Sequence, residues 1–215
     1  MKSYQPLSLW RRIAVLLAVV KLCLPGFAYG KTVKDPLADY VTSEGFVDEV
    51  KFARIERISR VDLDLNRDGK KVVFLASSYV RHGGFAWTAY VPGKHGYTVG
   101  LPSQIENEML CFTDDHSYVG YVREIKHRGI VFFQGRIADG FAFIAFWVSG
   151  GKARIKRIGG VAGRDDEYTA EKPHSLFKKY FPHLSEVEPP SPFKIETISI
   201  DDLRARGYVI PKRDP

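Results

Sequence analysis

The sequence predicts a mainly β fold: a β-rich α+β single domain built on an antiparallel meander sheet with a few short helices. Three observations carry that expectation. Val61, Leu63 and Leu65 alternate with Asp62, Asp64 and Asn66, the two-residue period of a strand with one wet face. Short β-branched and aromatic runs recur between Gly, Pro and Asp turn signals. Strand-like runs follow one another directly, and 215 residues leave room for one domain with a real core and little room for two.

In chain order, residues 31–45 read as a lead-in with one helical turn from Pro36 to Tyr40. Strand pattern begins after Ala53. Ile55 and Ile58 do not share a parity with Val61, which predicts a bulge near Ser59–Arg60. Lys71 to Ala76 is brief, apolar and flanked by Gly69 and Ser77, so it pairs with residues 60–65 as a hairpin. Phe85 to Val91, between Gly83-Gly84 and Pro92-Gly93, completes a three-stranded meander, and Tyr97 to Leu101 adds a short strand. Gln104 to Met109 suits a short helix.

Three more strands follow: Ser117 to Ile125, Ile130 to Arg136 after the basic turn Lys126–Gly129, and Phe141 to Val148 after Asp139-Gly140. Phe141 to Val148 is apolar on both faces, which marks a strand covered on both sides. Ala153 to Ile158 returns with its Arg and Lys toward water. His174 to Tyr180 forms one or two helical turns. Pro189-Pro190-Ser191-Pro192 is a stiff extended linker. Lys194 to Ile200 is a strand, with Asp201 capping a helix that Gly207 stops. The resulting division is 1–30 as a signal peptide, 31–188 as the β-rich globular domain, and 189–215 as proline linker and C-terminal extension packing on it.

Residues 1–30 have the organisation of a secretory signal. Lys2, Arg11 and Arg12 precede the apolar run Ile13 to Leu24, and Ala28 and Gly30 are small residues at the −3 and −1 positions for cleavage after Gly30. The apolar run is shorter than the ~20 residues a spanning helix needs. A periplasmic or secreted protein is expected, touching membrane only through the signal before cleavage. The leader holds four of the 32 Lys/Arg and none of the 25 Asp/Glu, so the formal +7 falls to +3 after Gly30. That balance gives no nucleic-acid footprint. Only Cys111 follows the leader, so no internal disulfide forms in the exported chain.

The stretch with most chemical meaning is Asp64-Leu-Asn66-Arg-Asp68-Gly69. Alternate oxygen-bearing side chains ending on a glycine turn several ligands toward one hard cation. Asp62 lies one strand step upstream, and the Lys70 carbonyl lies just beyond. The candidate metal residues are therefore Asp62, Asp64, Asn66, Asp68 and Lys70, with calcium as the cofactor. Over about fifteen residues, this string and the strand behind it resemble the calcium loops of FG-GAP and related exported bacterial repeat proteins, and half of an EF-hand. The run Ala86-Trp87-Thr88-Ala89-Tyr90 is similar to uncharacterised exported bacterial proteins carrying one such loop.

The resemblance implies an acid at the ninth loop position and, for an EF-hand, a Glu at the twelfth. Here Val72 and Leu75 stand there. A weak site completed by water, with an affinity on the order of 10⁻⁴–10⁻³ M, is the consequence. The same residues also suit a bare hairpin in which Asn and Asp bond the turn backbone. A single copy excludes a repeat propeller.

No catalytic motif stands out. Arg81-His82-Gly83 resembles the histidine-phosphatase motif over three residues, with Gly84 where that family has Glu or Gln. Asp114-Asp115-His116 sets carboxylate beside imidazole, but neighbours on a strand point to opposite faces. The other histidines, His95, His127, His174 and His183, show no ligand spacing. Trp87, Tyr90, Phe143, Phe146 and Trp147 could line a binding groove, but aromatics at strand spacing are more often core, and they are assigned there. The leading expectation is a non-catalytic binding or interaction domain for an unknown protein or a cell-envelope ligand. The alternatives are a periplasmic hydrolase using His82 or the Asp114–His116 cluster, and an inhibitor or immunity-type protein.

Overall fold

The computed structural model describes residues 31–52, 55–77, 87–101, 112, 116–137, 140–161, 173–184 and 194–211. The signal segment, His82, the 104–109 stretch, Cys111, Asp114, Asp115 and the 189–192 linker lie outside them. The described chain is mainly β, with ten strands in two antiparallel sheets and four short helices.

The six-stranded sheet has the order β1 (Thr32–Val33), β5 (Tyr97–Leu101), β4 (Thr88–Pro92), β3 (Val72–Ser77), β2 (Arg57–Leu63), β10 (Ile195–Ser199). Its centre is the expected meander, with Asp62 opposite Val73 and Leu63 opposite Val72. The four-stranded sheet is a second meander, β6 (Ser117–Val122), β7 (His127–Ile137), β8 (Gly140–Ser149), β9 (Lys152–Val161). The basic turn comes earlier than expected: β7 already starts at His127.

Strand periodicity explains how the layers stack. Val72, Phe74 and Ala76 of β3 face Ile130 and Phe132 of β7 and Phe146 and Val148 of β8 across the inter-sheet core. The intervening Val73 and Leu75 point the other way, into a cluster with Leu37, Tyr40, Phe46, Val50, Ile200 and Leu203. Those residues belong to α1 (Pro36–Val41), α2 (Glu44–Phe52) and α4 (Ile200–Ala205). On the far side, Phe141 and Phe143 of β8 pack under α3 (Pro173–Tyr180) through Leu176 and Phe177. Helices therefore lie against both outer faces of a two-sheet sandwich.

The expected bulge at Ser59–Arg60 is absent, since β2 pairs with β3 without a register shift from Ile58 to Leu63. The change of parity has a simpler origin. Ile58 turns into the helix-side cluster while Val61 and Leu63 turn into the inter-sheet core. A strand buried on both faces needs no bulge to hide apolar residues of either parity.

Helix α2 was not foreseen. It is entered through Ser43, whose hydroxyl accepts from Phe46 N at 3.3 Å and whose carbonyl accepts from Val47 N at 3.0 Å. The C-terminal helix is capped by Ser199 rather than by Asp201. Ser199 Oγ accepts from Asp202 N at 3.0 Å, and Asp202 Oδ2 accepts from Ser199 N at 3.4 Å. Gly207, at φ 87°, ends the segment as expected. Among the described residues no helix is long and apolar enough to cross a membrane.

Candidate functional site

The acidic hairpin joins β2 to β3 and closes through two left-handed residues, Arg67 at φ 57° and Gly69 at φ 80°. Asp64 folds back over the turn: Oδ1 accepts from Asp68 N at 3.1 Å and Oδ2 from Gly69 N at 2.8 Å. Asp68 Oδ1 in turn accepts from Lys70 N at 3.0 Å. The Asp68–Lys70 bond is an Asx turn, the Asp64 bonds span the loop, and each carboxylate oxygen so engaged keeps a second lone pair.

Asp62 stands apart from the loop. Arg60 grips it with Nε at 2.8 Å and an Nη at 2.9 Å, and this hydrogen bonding raises the guanidinium above its ordinary value. Unlike Asp64, whose partners are neutral backbone N–H groups, Asp62 already has a cationic partner, and the guanidinium repels a second cation beside it. Of the five expected ligands, Asp64, Asn66 and Asp68 remain without a cationic partner in the described hydrogen bonds. Lys70 contributes its N–H to Asp68. Among the described residues no three His, Cys, Asp or Glu side chains gather as a metal group.

The hairpin is not isolated. Arg128, at the start of β7, donates its Nε–H to the Leu65 carbonyl at 3.1 Å, which ties the acidic loop to the four-stranded sheet. Around that contact lies a feature that residue-type reasoning passed over. Residues 117–161 hold eight Lys/Arg against two Asp/Glu, or +6. The rest of the chain after Gly30 then holds 20 bases and 23 acids, or −3. The nearly neutral total conceals two halves of opposite sign.

Within the basic half, Lys126, His127, Lys152, Arg154, Lys156 and Arg157 are exposed. Trp147 is only half-buried, unlike Trp87, Tyr90, Phe143 and Phe146, and its ring stacks on His127 with centroids 6.3 Å apart and planes at 16°. Register places Arg154 opposite Trp147, Lys156 opposite Ala145 and Lys152 opposite Ser149, so these side chains share one face. Gly129 is required beside them, because a Cβ there would lie 2.3 Å from the Phe146 carbonyl oxygen and 3.1 Å from Trp147 Cβ. The cluster under α3 reaches Val131 and Phe133 but does not include His127 or Trp147.

The remaining histidines do not converge. His116, the described member of the Asp114–His116 trio, packs its ring 5.8 Å from Phe133 and accepts from Phe133 N through its carbonyl. His183 is buried, with Nε2 3.5 Å from Glu124 Oε2. His95 and His174 lie in the β4–β5 turn and in α3. Charge counted by segment would have exposed the basic patch; charge counted over the chain did not. Comparison with known protein families, with curated proteins and with solved structures finds no match.

Proposed function

We propose that this chain is an exported, non-catalytic binding module whose working surface is the basic end of the four-stranded sheet. The 62–70 hairpin beside that surface holds a weakly bound calcium ion on Asp64, Asn66 and Asp68. The single observation that carries the reading is the charge segregation: +6 in residues 117–161 against −3 in the rest of the chain after Gly30. Within that segment Lys152, Arg154 and Lys156 share one face, and cations gathered so raise the local concentration of anionic partners and orient them. The signal-like organisation of residues 1–30 supports export, and the partner is then a component of the cell envelope. Asp64's wrap around the loop backbone supports the ion, because it fixes one carboxylate where Asp68 follows within the same turn.

Lysine footprinting tests the surface without knowledge of the ligand. With the full chain expressed and envelope fractions added, acylation of Lys126, Lys152 and Lys156 should fall while Lys34 and Lys194 on the six-stranded half stay reactive. Protection confined to Lys34 and Lys194 would move the binding surface to the other half and end the proposal.

A further inference from the structure

The bare end of the four-stranded sheet has a shape as well as a charge, and that shape narrows the partner. Lys152, Arg154 and Lys156 alternate along one face of β9. Strand geometry spaces them by about 7 Å, in a straight row. Arg123 and Lys126, both exposed, add a fourth and a fifth cation at the β6–β7 turn. The described ion pairs are Lys31–Asp39, Arg60–Asp62, His183–Glu124 and Arg204–Asp201, and none engages a β9 cation. Between the charges lie the half-buried indole of Trp147 and the His127 ring stacked on it.

A row of cations on a flat sheet, interrupted by an amphipathic aromatic, suits an extended plane of phosphates better than a single anion held in a cleft. Indoles settle at the headgroup level of a bilayer, and cations near an anionic surface each strengthen attachment. We infer that this face docks on the phosphate layer of an anionic lipid bilayer, with Arg154 and Lys156 reaching the headgroups and Trp147 at the interface. The inference rests on the binding-module reading above and names its partner. An edge strand is also guarded against pairing by its charges, but that role asks nothing of an exposed Trp–His stack.

The test is vesicle co-sedimentation of the protein recovered from cells expressing the full chain, taken from whichever fraction holds it, so that its location is read separately. Vesicles mixing phosphatidylglycerol with phosphatidylcholine should bind it, phosphatidylcholine alone should not, and salt should weaken the binding. The double variant R154Q/K156Q should lose about 25-fold in partitioning, roughly fivefold per cation, with an unchanged melting temperature. Lys34→Gln with Lys194→Gln should lose none. If R154Q/K156Q does not fold, Lys126→Gln with Lys152→Gln at the hairpin ends reads the same loss. Undiminished binding by these variants, or equal binding to neutral vesicles, overturns the inference. So does single-stranded DNA held as tightly at equal charge and salt, which would mark a generic polyanion surface. Lysine footprints on β9 that persist while vesicles fail would leave the binding module standing and remove only its lipid partner.

Discussion

Each sheet carries helices on its outer face, yet the two halves meet solvent differently. Three of the described helices press on the six-stranded sheet, and three of its cations are paired, in Lys31–Asp39, Arg60–Asp62 and Arg204–Asp201. Even its buried hydroxyl is tied down: Tyr90 donates to Asp39 Oδ2 at 3.2 Å, and burial pushes the phenol above its ordinary value. Among the described residues the four-stranded sheet has one helix, placed over Phe141 and Phe143, which leaves Trp147 half-exposed, and Lys152, Arg154 and Lys156 beside it enter no described ion pair. The difference separates two jobs. On the proposed reading one half is the scaffold and the other is the working face.

The largest expected effect tests whether the halves are nonetheless one folding unit. Phe74 of β3 is fully buried, with its ring 5.0 Å from Phe112 and 5.1 Å from Phe146 of the opposite sheet. Phe74→Ala should cost about 3–5 kcal/mol, since it removes a large ring from a site with little room to collapse. Trp87 reports on the six-stranded side and Trp147 on the other, so W147F and W87F backgrounds of residues 31–215, which leave out Trp10, give one probe for each sheet. Denaturation midpoints should fall together in both backgrounds. A fall seen by Trp87 alone would break the sandwich into independent sheets.

Calcium comes next, because its hairpin sits on the seam where Arg128 reaches Leu65. At ~10 mM calcium, a site with an affinity on the order of 10⁻⁴–10⁻³ M stabilises the fold by about 1.4–2.7 kcal/mol. For a domain of this size that raises Tm by about 3–10 °C. Asp64→Asn and Asp68→Asn should each abolish the gain. Asp62→Asn should preserve it, because Asp62 belongs to Arg60. A flat calcium titration of the parent protein would reduce the loop to the hydrogen-bonded turn that the same sequence allows.

How much of this was legible beforehand differs between the same two regions. The β2–β3 hairpin was readable because its turn chemistry and its alternation fix a register together: Asp64 to Gly69 dictates the turn and Val61 to Leu65 dictates the face. The bulge at Ser59–Arg60 was misread because one wet face was assumed for a strand that is covered on both sides. Helix α2 carries little sequence signal beyond Ser43 and the Phe46–Val50 spacing, and its burial comes from the sheet beneath it. The basic face was the least legible. Trp147 follows Phe146 at ordinary strand spacing and carries no local mark of exposure. The cluster under α3 takes in Phe141 and Phe143 and not Trp147, a tertiary fact that no window of sequence contains.

The smallest expected effect concerns the edges. β10 closes the six-stranded sheet beside β2, and α4 anchors it through Ile200 and Leu203. The junction is held by the Ser199–Asp202 capping box, so Ser199→Ala should cost about 1 kcal/mol. Hydrogen bonding from the Ser199 hydroxyl, and then from its backbone, holds the Asp202 carboxyl below its ordinary value. For a carboxyl depressed in the folded state, the stabilisation is present above the unfolded pKa, about 3.9, and is lost as pH falls through the folded value. Acid titration of the parent should therefore erode the contribution of the cap below the ordinary carboxylate range, and the Ser199→Ala protein should show a flatter acid limb. Amide exchange locates the effect: β10 and α4 should open earlier in the variant while β9, which has no such closure among the described residues, exchanges at an unchanged rate. Faster exchange in β9 as well would mean that the two edges are coupled through the inter-sheet core, and the division into scaffold and working face would have to be redrawn around that coupling.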